Sequence, residues 1–412
     1  MRPNKSADDS VATSDLQLDP AIEARKKALT EILDSAGPAA AVDELIRSAQ
    51  EELRPRDLLD ALLLKARLDL GLPASGIVAD QLADNQKTRY EDLYVEALRT
   101  VGTMLLDKGD IPAAWPYFRV IGEKEPVRQA IETFDPESVD EHALGAVIDV
   151  AFQQQVHPLK GFGWILDRYG ICSAISSFEA LPADDTVRSA ASALLARALH
   201  SQLHYALSSE IERREGTRPA ESNTVEELLE GRPWIYDDDA YAIDVSHLSS
   251  VVRLSPLLKS ADDISLALEL ARYGSGLSDR FRYDGLPPFD DVYADHAIYL
   301  NALLGKDADT AVAHFRAKLK PVDFDDDQPR DPLETLPAQT LVNLLAALGR
   351  DEEAIALAAE QLADVPESYL VCPSLTALCR KAGRPDLLAE AAARNANWAL
   401  FLAARIEDNR TR

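Results

Sequence analysis

Gly109 and Gly349 are each followed by the same residue types at the same distances. Ala114, Phe118 and Pro126 stand at +5, +9 and +17 from the first; Ala354, Ala358 and Pro366 stand at those offsets from the second. The offsets suit two packed helices joined by a tight turn. Glycine adopts the left-handed backbone that ends a helix without a Cβ penalty. Alanine lets two helix axes cross closely, the +9 position fills the layer between them, and proline cannot continue a helix interior. The surrounding sequence agrees. From Asp19-Pro20 onward apolar residues recur at helical spacing, as in Leu58, Leu59, Leu62, Leu63 and Ala66, and long Val/Ile/Thr alternations are almost absent. The chain is therefore expected to be all-α, and Asp19 is expected to cap a helix with Pro20 in its first turn.

LLAALGRDEEAIALAAEQLADVP (Leu344 to Pro366) and LLDKGDIPAAWPYFRVIGEKEP (Leu105 to Pro126) resemble the tetratricopeptide repeat, whose helix pairs carry small, bulky and proline residues at these offsets. Weaker copies begin at Gly71, at Gly305, where the alanine and Phe315 are displaced by one residue, and at Gly383, 34 residues after Gly349. The resemblance covers about half the chain and implies a right-handed α-solenoid of helix hairpins with an irregular central helical region. The organisation read from it is a flexible, Ser/Asp-rich tail at 1–18, N-terminal hairpins at 19–135, the irregular centre at 136–300, and tetratricopeptide-like hairpins at 301–412.

Charge narrows the function. Against 43 Lys+Arg stand 70 Asp+Glu, a net charge of −27 over 412 residues, and no basic cluster reverses that field locally. Nucleic acid and anionic membranes are thus poor partners. No run reaches the ~18 apolar residues of a membrane span. The first residues lack the apolar stretch of a secretory signal, and Cys172, Cys372 and Cys379 form no disulfide framework. A cytoplasmic, bacterial protein is the expectation. An acidic helical array would suit a protein or peptide partner that is basic or apolar.

The centre offers a second possibility. Six of the seven histidines precede residue 300. His200 and His204, four apart on one helix, share a face that lies ~90° or more off the Leu195–Leu199–Leu203 stripe, the arrangement two metal ligands need. Ser201 follows His200 where a zinc protease would carry its glutamate, so that activity is not expected. Asp244 and His247, or Asp295 and His296, could complete a shell for a divalent transition metal from neighbouring helices. His200, His204, Asp244, His247 and His296 are accordingly the candidate metal set; no catalytic residue is assigned and no organic cofactor is expected. Plainer accounts stand beside it: histidines packed on helix flanks, and Asp244 capping a helix whose first turn holds His247.

Other motifs read as structural. Asp237–Asp239 lacks the twelve-residue spacing of a calcium loop. Gly161 and Gly163 suggest close helix packing rather than phosphate binding. Cys172 is expected to be buried and inert, Cys372 and Cys379 to share a helix, and His314, at +9 from Gly305, to pack. No Walker loop, Gly-x-Ser-x-Gly elbow or kinase signature occurs.

Overall fold

The computed structural model describes residues 19–76, 83–320, 332–363, 365–394 and 397–411. The 1–18 segment, expected to be a tail, lies outside them. The described residues are helical throughout, with no strand and a single isolated bridge between Asp284 and Asp291. No described helix is long and apolar enough to cross a membrane.

The chain divides into two compact units, Met1–His157 and Pro158–Arg412. The first holds α1 (Pro20–Ala36), α2 (Pro38–Glu51), α3 (Pro55–Asp69), α4 (Asp84–Leu106), α5 (Ile111–Val120), α6 (Glu125–Thr133) and α7 (Glu141–Ile148). Prolines open most of these helices, where the missing N–H has no partner to lose. Asp19 caps α1 as expected, accepting from the Ala21 N–H, and Asp110 and Asp140 cap α5 and α7 in the same way. Gly109 turns the chain between α4 and α5 at φ 77°. Ala114 and Phe118 are fully buried beyond it, and Phe118 packs so close to Gly102 that a Cβ there would stand 2.6 Å from the ring.

The second unit holds α8 (Pro158–Ser177), broken at Gly170, then α9 (Asp185–Glu215), α10 (Val225–Leu229), α11 (Val245–Leu254) and α12 (Ala261–Ser275). It continues with α13 (Val292–Leu303), α14 (Ala308–Arg316), α15 (Pro332–Ala347), α16 (Asp351–Gln361), α17 (Leu375–Ala382), α18 (Pro385–Arg394) and α19 (Trp398–Thr411). The 31-residue α9 starts at an Asp184 cap and ends at left-handed Gly216. Its Leu195, Leu199, Leu203, Leu207 and Ile211 form the buried stripe, against which α8, α10, α11 and α12 pack. Each such side chain contributes roughly 1.5–3 kcal/mol of burial. Gly305, Gly349 and Gly383 make the turns α13–α14, α15–α16 and α17–α18, all at positive φ. One apolar cluster runs through these pairs, from Phe315 through Leu345, Ala354 and Ala358 to Leu378.

Several local expectations are corrected. Pro126 opens α6 rather than stopping α5, which ends at Val120 ahead of left-handed Gly122. Pro366 likewise lies five residues past the end of α16. Cys372 does not share a helix with Cys379, because Pro373 and the Ser374 cap intervene before α17. Burial pushes the Cys372 thiol up to about 12 and the Cys379 thiol up to about 11, so neither is a nucleophile near neutrality. Cys172 is exposed, not buried. Gly163 touches nothing that a Cβ would meet, so it is not a close-packing glycine.

Candidate functional site

His200 and His204 lie one turn apart on α9 with their rings stacked, centroids 6.5 Å apart. They sit on the flank of the leucine stripe, half-buried, and each has one ring nitrogen fixed. His200 Nε2 stands 2.9 Å from Glu269 Oε2 on α12. His204 Nε2 stands 2.9 Å from the Asn223 carbonyl. A carbonyl only accepts, so His204 carries its proton on Nε2 and its Nδ1 is an acceptor. Glu269 also receives the Val225 N–H at 2.8 Å, at the start of α10. Burial pushes the Glu269 carboxyl up, but the hydrogen bonds from His200 and Val225 outweigh it and hold the group below its ordinary value. The pair borders a cavity of about 360 Å³ shared with Ser201, Tyr205, Ser208 and Arg218. Ser208 is 2% exposed and its Oγ has no hydrogen-bond partner among the described residues. Arg218 lies over the Tyr205 ring and pairs with Glu212.

The other members of the predicted set have different partners. Asp244 caps α11, accepting from the Ser246 and His247 N–H groups at 2.8 and 3.2 Å. The Ser246 hydroxyl and these N–H groups hold its carboxyl below the usual range, as a cap requires. His247 follows in the first turn of α11, half-buried. His296, on α13, is in the core rather than on a flank: it is 2% exposed and stacks on Phe289 with ring centroids 3.9 Å apart. Its Nδ1 lies 2.5 Å from the Val292 carbonyl. Burial pulls it down to about 4, which keeps the ring neutral. The structure thus brings His200 and His204 together, sets Asp244 beside His247, and gives His296 a third environment. Among the described residues no three His, Cys, Asp or Glu side chains form a group that could hold a metal ion.

One functional-looking group escaped the sequence, and a second was read there only as a possible metal ligand. Glu269, the partner of His200, is 69 residues away and sits in an ordinary amphipathic helix. Asp295 is 4% exposed and receives His314 Nε2 at 2.6 Å, Lys318 Nζ at 2.7 Å and the Asp291 N–H at 3.0 Å. His314 is therefore a hydrogen-bond partner of Asp295 at the edge of α14, and Phe315, one residue on, fills the buried layer. The sequence offered Asp295 as a companion of His296 in a metal shell, not as the partner of His314 and Lys318. Comparison of the chain with protein-family models, with characterised proteins and with solved structures finds no match.

Proposed function

We propose that this chain is an interaction scaffold, a right-handed α-solenoid of tetratricopeptide-like hairpins that binds a protein or peptide partner. The reading rests on one observation above others. Trp398, Leu402 and Ile406 on α19 are 61, 59 and 54% exposed and stand at i, i+4 and i+8, one apolar stripe along one helix face. A hairpin array buries each apolar face against the next element, and an outermost helix that faces only water carries a polar outer face. A stripe of Trp, Leu and Ile instead suits an amphipathic helix laid alongside it. The net charge of −27 favours a partner with basic residues flanking its apolar face.

Titration of the full chain with a fluorescent amphipathic Leu/Lys helix tests this reading. Saturable binding that weakens about tenfold or more in Trp398→Glu and Leu402→Glu supports it. Binding that ignores both substitutions, or its absence, removes the reading.

A second reading, a metal-binding protein, has its own support at His200 and His204. Metal-ligating imidazoles hold their other ring nitrogen on a carboxylate or carbonyl, and Glu269 and the Asn223 carbonyl supply those partners. The two Nδ1 atoms would be the ligands for a divalent transition metal, with water completing the shell. Metal analysis of purified protein, before and after His200→Ala, separates the readings: bound zinc, nickel or copper lost in the variant supports this one, and a metal-free wild type in buffered micromolar zinc rejects it.

A further inference from the structure

The loop 285–289 carries no polar side chain, reading Gly285-Leu286-Pro287-Pro288-Phe289. It is nevertheless tightly fixed. The Gly285 N–H bonds the Asp290 carbonyl at 3.0 Å, and a Cβ on Gly285 would fall 1.5 Å from the Phe289 oxygen, so only glycine closes this loop. Lys318 ties it down from beyond α14: its Nζ reaches the Pro288 carbonyl at 2.5 Å, Asp290 at 3.0 Å and buried Asp295 at 2.7 Å. Arg253 at the end of α11 donates to the Asp284 carbonyl at 3.0 Å. Behind the loop lies a cavity of about 210 Å³, walled by Leu286, Pro287, Phe289, Val292 and Leu336. That volume equals about seven waters, room for one ring or a short branched chain and too little for a nucleotide.

Two polar groups on this cavity are incompletely used. His296 lines it and keeps its Nδ1 proton on the Val292 carbonyl, so Nε2 presents a bare lone pair, and no described residue donates to it. Arg253 is exposed at the same cavity and makes no ion pair with a described residue, in a chain with 70 carboxylates. Its Asp284 bond uses one of five N–H donors, leaving others for a carboxylate.

We propose that this cavity binds a small organic acid with an apolar body and an O–H or N–H donor: the donor bonds His296 Nε2, the body fills the space between Phe289 and Leu336, and the carboxylate pairs with Arg253. The fixed loop makes the site preformed, so binding needs little ordering of the chain. The site is independent of the α19 stripe, and its failure leaves the scaffold reading untouched.

Ligand-observed NMR on the full chain tests it with three probes: 4-hydroxyphenylacetate, phenylacetate, which lacks the donor, and 4-methylphenol, which lacks the carboxylate. The hydroxy acid is expected to bind with a Kd of about 1 mM or tighter, and each truncated probe about tenfold more weakly. Arg253→Met, at an exposed position, should lower hydroxy-acid affinity to that of 4-methylphenol. Leu336→Trp, which fills the cavity from α15, should abolish binding of all three. Equal affinities for the three probes, no binding by folded wild type, or hydroxy-acid binding unchanged in Arg253→Met overturns the proposal. An unordered Leu336→Trp variant leaves the Arg253 and probe comparisons to decide.

Discussion

Glu269 Oε2 stands 2.9 Å from His200 Nε2 although 69 residues separate them, and the same oxygen receives the Val225 N–H. One carboxylate therefore joins α9, α10 and α12. Replacing Glu269 with glutamine, which keeps the shape and removes the charge, is expected to lower stability at pH 7 by ~1–3 kcal/mol in urea denaturation. The group's folded pKa lies below its ordinary value of 4.5. Its contribution is therefore complete above 4.5 and disappears as pH falls through the lower folded value. The wild type and the variant should converge in stability at acid pH; a gap that persists there would show that the charge is not the source.

His296 gives a second pH dependence at higher pH. Its folded pKa is lowered from 6.5 to about 4 by burial, so between those values the unfolded chain binds the proton that the folded chain excludes. Stability from this group is whole above about 6.5 and falls as pH drops towards 4, by up to ~3 kcal/mol in total. Between pH 7.5 and 5.5 the wild type should lose ~1–2 kcal/mol more than His296→Leu. Parallel stability curves for the two proteins would mean that the ring is solvated.

Tyr293 is a buried phenol held against Gly274, where a Cβ would come within 2.3 Å of the ring, and its hydroxyl has no hydrogen-bond partner among the described residues. Removing an unsatisfied hydroxyl stabilises when the packing is kept. Tyr293→Phe is expected to raise stability by ~1 kcal/mol, whereas Gly274→Ala should lower it by ~1–3 kcal/mol through overpacking. Thermal melts of the two variants against the wild type give the signs directly.

The Asp295 carboxylate gathers His314, Lys318 and the Asp291 N–H. Asp295→Ala is expected to cost about 3 kcal/mol, the low end for breaking a buried pair, since Lys318 and His314 are partly exposed and can turn to water. Hydrogen exchange should rise in the Gly285–Asp291 loop and stay unchanged in α16 and α17; a uniform rise would instead report global destabilisation.

Gly349 makes the α15–α16 turn at φ 71° with open space where a Cβ would go. Its substitution therefore tests backbone conformation alone. Gly349→Val should destabilise by ~1–2 kcal/mol, and Gly349→Asn by less, because asparagine tolerates the left-handed region. Equal melting temperatures for glycine and valine would remove the turn assignment.

Helices, caps and turns were legible in the sequence because their interactions span four residues or fewer. Asp19 and Asp244 cap α1 and α11 through N–H groups two or three positions on. Gly109, Gly305, Gly349 and Gly383 all take the left-handed turns their spacing required. The i, i+4 placement of His200 and His204 on one face followed from helical pitch alone. The packing partners did not follow. His200 meets Glu269, His314 meets Asp295, and His296 meets Phe289 only because α9 lies against α12, α13 against α14, and the 285–289 loop against α13. His296 shows the limit most plainly. Val292, Tyr293, Asp295, His296, Tyr299 and Leu300 are buried on several sides of α13, so its sequence has no single apolar face from which a flank could be told from the core. Residue spacing determines which side chains share a helix face, whereas burial depends on what else packs there, and that is set by helix contacts distant in sequence.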